Sequence, residues 1–251
     1  HKFVWIFVNS NACFTFIFNN NSIFSNLKKE DVRSMKYVIF GFTCLVLLIV
    51  FLFTSYYYKG QQAKMYDFMA KENASTFVRD HSQTLGSDDA KVYLVKFTDP
   101  ACETCAAFSP FVKQIMKANP GRIKLVIRYA PFHDGAEYFV KILEAAKKQG
   151  KFWETLDVMY KSQSIWASHH NPQPQKIWQF LPKAGLNIEQ IRKDMNDPAI
   201  VKLIEQDRED AKTLNVRKTP GFFVNGKPLQ SFGYQQLQQL IQSEINARYP
   251  N

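Results

Sequence analysis

One uncharged apolar run near the start of the chain limits what its 251 residues can fold into. Residues 37–58 read YVIFGFTCLVLLIVFLFTSYYY and contain no charged side chain. A helix needs about 20 such residues to cross the hydrocarbon core of a bilayer, and a tyrosine cluster at one end is typical of a membrane interface. The run therefore predicts a single transmembrane helix over residues 35–58.

This helix is either retained as an anchor or removed as part of a signal peptide. Signal-peptide cleavage requires small residues of the A-x-A kind, whereas the run ends in Thr-Ser-Tyr-Tyr-Tyr. We therefore favour an uncleaved anchor. Cations are more numerous before the run than after it, so the positive-inside rule places the bulk of the chain outside the cytoplasm. The cations before it are Lys28, Lys29, Arg33 and Lys36, and those after it are Lys59 and Lys64.

The segment that precedes the membrane run, residues 1–34, has an unusual composition. Phe, Asn, Ile and Lys make up 18 of its 34 residues, and no Met occurs before Met35. Met35-Lys36 followed by an apolar run is a typical start of an exported bacterial protein. We expect translation to start there and residues 1–34 to be upstream sequence. The alternative is a first membrane segment over Phe3–Phe18, which three polar residues interrupt.

Composition and charge exclude several classes of protein. The chain is 46% hydrophobic with 10 Gly and 11 Pro, which excludes disordered and collagen-like chains. Four Cys are too few for a disulfide-dense scaffold. The net charge of +10 comes without a long Lys/Arg block. We therefore interpret it as a solvated basic surface and expect no nucleic-acid partner.

The sequence beyond residue 60 has the alternating strand and helix signals of an α/β protein. Lys91–Phe97 and Ile123–Tyr129 read as strands, and Ala106–Ala118 between them has helical spacing, which favours a parallel pair with a crossover helix. A strand over Phe222–Val224, an Asn225-Gly226 turn and a brief strand near Pro228–Gln230 predict a hairpin. The other predicted helices are Glu137–Gln149, Phe152–Tyr160, Gln175–Leu181, Ile188–Met195, Ile200–Leu214 and Tyr234–Ala247.

Two cysteines, Cys102 and Cys105, follow the first strand directly and open the helix after it. The free N–H groups and partial positive charge of a helix N-terminus stabilise a thiolate, which is the attacking species. We expect Cys102 to be exposed and nucleophilic, and Cys105 to be shielded and to resolve the mixed disulfide. The alternatives are an inert structural disulfide and half of a zinc site. A zinc site would need ligands such as His133, His169 and His170, because no second Cys pair exists.

A second motif, KTPGFFVNG at residues 218–226, places a proline directly before a strand and its hairpin. With the early CxxC, this motif resembles the cis-Pro loop of thioredoxin-fold proteins. The stretch AAKKQGKFW at residues 145–153 resembles one that is common in the helical insertion of the DsbA-like branch. Over roughly residues 75–250, the chain is thus similar to the DsbA-like thiol:disulfide oxidoreductases of the thioredoxin superfamily.

The resemblance implies an α/β thioredoxin fold with an inserted helical domain, preceded here by the N-terminal transmembrane helix. The predicted parts are an upstream segment (1–34), the anchor (35–58), a linker and N-terminal extension (59–90), the first half of the fold with the CxxC (91–134), the inserted domain (135–215) and the second half (216–251). The resemblance also implies that Pro220 is cis, that Thr219 and Pro220 bind substrate, and that the cysteine pair needs no metal or organic cofactor.

Two departures from the family pattern bear on the redox potential. Lys96 stands where these proteins usually have a buried carboxylate, six residues before the first Cys. The positive charge of Lys96 would favour a thiolate in the cysteine pair. The alternative is that Lys96 is a strand residue whose ammonium group faces solvent. Between the cysteines, Glu103-Thr104 replaces the dipeptide that typically contains His. The Glu103 anion should raise the pKa of Cys102, so we expect a potential of roughly −130 to −250 mV, between the extremes of the superfamily.

The predicted protein is a single-pass thiol:disulfide oxidoreductase of the bacterial inner membrane, with its catalytic domain in the periplasm. Its expected partners are Cys-containing exported polypeptides and a membrane redox partner that resets the pair, and it is expected to be a monomer. The alternatives are a periplasmic disulfide reductase or isomerase, and a thioredoxin-fold binding or assembly module. His133-Asp134 and His169-His170 are interpreted as loop residues.

Overall fold

The computed structural model describes residues 29–72, 74–168 and 171–250, and it divides the chain into two compact units, residues 1–62 and 63–251. Helix α1 spans Lys29–Glu72 and includes the stretch Met35–Tyr58, which has 24 residues and a mean hydropathy of 2.7. None of its most apolar window is buried within the protein. The helix is therefore long and apolar enough to cross a membrane, which is consistent with the predicted anchor.

Several predictions fall outside the described residues. They concern the upstream segment before residue 29, the alternative membrane segment Phe3–Phe18, and the pair His169-His170. The number of cations on each side of the membrane run also depends on Lys28, Lys59 and Lys64. Their side chains are not among those that the structure describes.

The second unit is built on a five-stranded sheet of order β1-β3-β2-β4-β5. The neighbours β2 and β3 are parallel, with Val92 opposite Ile123, and the other pairs are antiparallel. The predicted crossover unit is confirmed, and so is the hairpin, whose turn residues Asn225 and Gly226 both have positive φ. The strands are β1 (Gln83–Gly86), β2 (Val92–Thr98), β3 (Ile123–Tyr129), β4 (Gly221–Val224) and β5 (Lys227–Pro228).

The predicted helices are present, with some shifts of their ends. The segment predicted to end at Tyr160 continues to Trp166, whose buried indole donates to the carbonyl of Met159 at 3.1 Å. The segment predicted over Gln175–Leu181 is a short helix followed by a 3₁₀ turn over Leu181–Ala184. The helices are α2 (Ala74–Phe77), α3 (Glu103–Ala118), α4 (Ala136–Lys148), α5 (Phe152–Trp166), α6 (Pro174–Ile177), α7 (Ile188–Asp194), α8 (Pro198–Thr213) and α9 (Tyr234–Arg248).

The segment predicted as a linker and extension, residues 59–90, contains regular structure. α1 continues through Glu72, α2 follows, and β1 pairs with β3 at the edge of the sheet. β1 has four residues, QTLG, of which only Leu85 is strongly apolar, so no alternating pattern predicts it. Gly86 ends the strand with φ +112°, and a Cβ there would lie 2.3 Å from the carbonyl oxygen of Ile123.

Hydrophobic side chains pack on both faces of the sheet. Because successive strand residues point to opposite faces, Val92 and Leu94 of β2 belong to the larger core with α3, while Val95 and Phe97 belong to a smaller core behind the sheet. Each fully buried Leu or Phe side chain stabilises the folded state by about 1.5–3 kcal/mol. The same alternation places Lys96 on the face of Leu94, toward α3.

A buried ionic network joins the N-terminal extension to α8. Arg128 of β3 is fully buried and donates to Asp207 at 2.7 Å and Asp210 at 2.5 Å. Arg79 also donates to Asp210, at 2.7 Å, and the ring of His81 contacts Asp207 at 2.6 Å. These partners are up to 131 residues apart, so no local sequence pattern could predict them.

Candidate active site

Cys102 is the N-cap of α3, as the sequence predicts for a CxxC that opens a helix. Its backbone is extended, with φ −76° and ψ 116°, and its Sγ accepts the backbone N–H of Cys105 at 3.3 Å. Both residues are free thiols in this structure. The sulfur of Cys102 thus lies where the unpaired N–H groups and the dipole of the helix favour negative charge.

The expectation that Cys102 is exposed is wrong, because only 5% of the residue is accessible. The loop before β4 covers it: Sγ of Cys102 lies 3.3 Å from the carbonyl oxygen of Thr219. The Thr219–Pro220 peptide bond is cis, as the resemblance implies. Cys105 is fully buried, so the expectation that it is shielded is confirmed.

The two thiols differ strongly in acidity. A hydrogen bond from the Cys105 side chain is the largest cause that lowers the pKa of Cys102 to about 6, and the Thr219 side chain and the Cys105 backbone add to it. Burial opposes this shift. Burial also raises the pKa of Cys105 well above its usual value. At neutral pH this difference favours Cys102 as the thiolate and leaves the proton on Cys105.

A buried carboxylate near the pair, Asp99, was missed by the sequence reasoning. It follows the end of β2, is fully buried, and accepts the backbone N–H groups of Ala101, Phe132 and His133 at 2.8–2.9 Å. Its negative charge is a cause that raises the pKa of Cys102. Glu103, predicted to act in this way, and Thr104 are exposed in the first turn of α3.

His133 lies in a loop before α4, as predicted, but it also contacts the site. Its Nδ1 is 2.8 Å from Oδ2 of Asp99, and its backbone carbonyl accepts the N–H of Ala136 in the first turn of α4. The ring therefore helps to hold the buried carboxylate just after the end of β2, in the turn that leads to Cys102.

Lys96 is buried rather than solvent-facing, since 3% of it is exposed. Its ammonium group donates to the carbonyl of Cys105 at 3.1 Å and lies 5.4 Å from the centre of the Tyr160 ring. The Tyr160 hydroxyl is 2.9 Å from the hydroxyl of Thr98. Burial lowers the pKa of Lys96, and its charge in turn is a cause that lowers the pKa of Cys105.

Of these neighbours, Thr98 and Tyr160 were not predicted. Thr98 shares the sheet face of Lys96 by strand alternation, so the sequence contained a signal for it. Tyr160 comes from the inserted helix α5, and nothing in its local pattern marks it.

A zinc site remains without support in the described ranges. No group of three or more His, Cys, Asp or Glu side chains there is arranged to hold a metal ion. The pair itself lies against Lys96, whose positive charge would oppose a cation at the same place.

Comparison with known families identifies the second unit. The family model described as Thioredoxin matches residues 79–243, which include the CxxC and the Thr219-Pro220 loop. The chain belongs to the thioredoxin family. In this thioredoxin-family chain the helices α4–α8 stand between β3 and β4, as the DsbA-like resemblance predicted.

Solved structures share this fold over nearly their whole length. A thioredoxin-like oxidoreductase from Silicibacter pomeroyi DSS-3 is 24% identical, with a TM-score of 0.60 over 71% of this chain and 99% of that one. Oxidised BdbD from Bacillus subtilis is 22% identical (TM-score 0.58, 66% and 93% covered). The thiol-disulfide exchange protein alpha-DsbA2 from Wolbachia pipientis is 18% identical (TM-score 0.60, 73% and 97% covered). The predicted thioredoxin fold with an inserted helical region is confirmed.

Curated relatives match over part of their length only. The Na(+)/H(+) antiporter NhaA of Herminiimonas arsenicoxydans is 28% identical over 145 residues, which are 58% of this chain and 22% of that protein. NhaA 3 of Salinispora tropica is 28% identical over 152 residues, again 22% of its length. The match thus covers about a fifth of the length of each of these antiporters, and it gives no ground to assign their transport activity to this chain.

Proposed function

We propose that this chain is a DsbA-like thiol–disulfide oxidoreductase that acts on cysteines of exported polypeptides. The observation that carries the proposal is the position of Cys102 Sγ, 3.3 Å from both the N–H of Cys105 and the carbonyl of Thr219. One sulfur thus contacts the helix that stabilises its anion and the loop that, by resemblance, pairs with substrate backbone. Solved proteins of the same fold include a thiol-disulfide exchange protein.

Disulfide formation is the direction that the unequal acidities favour. A substrate thiolate attacks Sγ of Cys102 in the oxidised pair, the Cys102–Cys105 bond breaks, and Cys105 takes up a proton. A second substrate thiolate then attacks the substrate sulfur of the mixed disulfide and expels Cys102 as a thiolate. Two electrons pass from the substrate thiols to the cysteine pair. Because the pair itself accepts these electrons, the exchange requires no metal or organic cofactor. A pKa of about 6 makes Cys102 a good leaving group.

The reduction potential tests the direction. The full chain in nonionic detergent is equilibrated in glutathione buffers, and the thiols of Cys102 and Cys105 are trapped and quantified. A potential above about −180 mV supports disulfide donation, and a value near −230 mV or below supports a reductase or isomerase. A pair that never exchanges would leave a thioredoxin-fold binding or assembly module.

We also propose that α1 anchors the protein as a monomer in a bacterial inner membrane, with the second unit in the periplasm. The support is the apolar stretch Met35–Tyr58 and the excess of cations before it in the sequence. A membrane redox partner would reoxidise the pair. Replacing Cys105→Ala should trap substrates and this partner as mixed disulfides with Cys102, and non-reducing electrophoresis followed by mass spectrometry identifies them.

A further inference from the structure

A groove opens beside the point where Cys102 meets Thr219. It encloses about 590 Å³, with Thr104 of α3 on one side and the Thr219-Pro220 loop on another. Such a volume falls within the range of about 300–1,000 Å³ that is typical of ligand pockets. Its apolar lining includes Phe77, Leu214, Val216, Phe223, Leu229 and Phe232. Phe232 remains 56% exposed, so its ring is accessible to a molecule that enters, whereas Phe77, Leu214 and Phe223 are buried.

The charged side chains of this groove all have one sign. Arg217 and Lys218, directly before Thr219, are exposed and belong to the lining, and no Asp or Glu is found among the lining residues that the structure describes. The guanidinium of Arg217 donates to the side-chain oxygen of Asn215 at 2.7 Å. Because that partner is a neutral amide, it orients the Arg217 side chain without cancelling its charge.

We propose that this groove binds the polypeptide segment next to the reactive substrate cysteine and selects segments that combine apolar with acidic side chains. The inference rests on the proposed function, since the groove is lined by Thr219, whose carbonyl contacts Sγ of Cys102. Apolar side chains would be buried against Leu229 and Phe232. Substrate carboxylates would pair with Arg217 and Lys218, and the planar guanidinium can bind a carboxylate through two parallel hydrogen bonds. A basic segment would instead place like charges together.

The test uses three synthetic peptides that each contain the same two cysteines and the same apolar residues. They differ only in the residues that flank the cysteines, which are Glu, the neutral isostere Gln, or Lys. The oxidised full chain in nonionic detergent converts each dithiol peptide to its disulfide, and glutathione disulfide in the buffer reoxidises the Cys102–Cys105 pair after each turnover. The value of kcat/KM is measured at low and at high salt. We expect the Glu peptide to exceed the Lys peptide by about five- to tenfold at low salt, with the Gln peptide between them. High salt should reduce the ratio because it screens exposed charges.

A charge-reversal variant checks which residues produce the preference. Arg217→Glu combined with Lys218→Glu should reverse the order of the Glu and Lys peptides. The matched control is Lys202→Glu, an exposed lysine of α8 outside the groove lining, which should leave the ratio unchanged. Equal kcat/KM values for the three peptides, or a preference that survives the double reversal, would overturn the proposed selectivity while leaving the exchange activity intact. Failure to oxidise any peptide would overturn the proposed function itself.

Discussion

The hydrogen bond from the Cys105 side chain is the largest influence on the acidity of Cys102. Replacing Cys105→Ala removes that donor and should raise the pKa of Cys102 clearly above about 6. The ultraviolet absorbance of the thiolate, followed against pH in reduced protein, measures this pKa. Cys44→Ala, in α1, is the control and should leave the pKa of Cys102 unchanged. A variant that still titrates near 6 would show that the helix and Thr219 suffice.

Glu103 offers a milder way to change the potential. Replacing Glu103→His, or Glu103→Gln as the neutral match, removes an anion from the turn that contains Cys102. Because the side chain is exposed, we expect a shift of about 5–20 mV toward a more oxidising value, larger for His than for Gln. Redox titration in glutathione buffers measures it. An unchanged potential in both variants would contradict the idea that this dipeptide tunes the pair.

Lys96 is placed to assist the resolving thiol, because its ammonium contacts the carbonyl of Cys105. In Lys96→Met the positive charge that lowers the pKa of Cys105 is lost. Attack of Cys105 on the mixed disulfide of Cys102 with a substrate, the reverse of the first step of disulfide formation, should then slow by about three- to fourfold for each unit by which the Cys105 pKa rises. The thiolate fraction falls about tenfold per unit, but the remaining thiolate is a stronger nucleophile. Quenched-flow measurements against pH would show the rate profile displaced to higher pH. A lower rate with no displacement would indicate a structural role alone.

Among the elements, β3 carries the charge that holds the extension against α8. Arg128→Met leaves Asp207 and Asp210 without their buried cation, although Arg79 still contacts Asp210. We expect a loss of about 3–5 kcal/mol in the free energy of unfolding. Lys124→Met on the same strand breaks a pair whose Asp88 partner is 92% exposed. Water and salt screen that pair, so we expect a far smaller loss than for Arg128→Met. Denaturant unfolding of the full chain separates the two, and similar losses would contradict this assignment.

For the whole molecule, the low pKa of Cys102 links stability to pH and redox state. The folded reduced form has a pKa of about 6, below the value near 8.5 expected in the unfolded chain. The resulting stabilisation is fully present above pH of about 8.5 and is lost as the pH falls through about 6. Thermal unfolding of reduced and oxidised protein should therefore show the reduced form losing stability relative to the oxidised form over this range. A constant difference would contradict a thiolate at Cys102.

The sequence by itself determined the apolar helix, the parallel unit β2-α3-β3, the hairpin and the position of the cysteine pair. Each of these depends on local signals: hydrophobic period, turn residues and spacing within one helical turn. Local motifs were enough to predict these elements because the residues that interact in each of them are also close together in the sequence.

Only the tertiary structure decided how the site is enclosed and charged. Strand alternation placed Lys96 and Leu94 on the same face of the sheet. Only the packing of α3 over that face decided that the lysine is buried. Thr219 covers Cys102 although the two residues are 117 positions apart in the sequence. Asp99 and His133 are in contact across 34 positions. The burial of a group and its distant hydrogen-bond partners shift its pKa, and neither can be read along the chain.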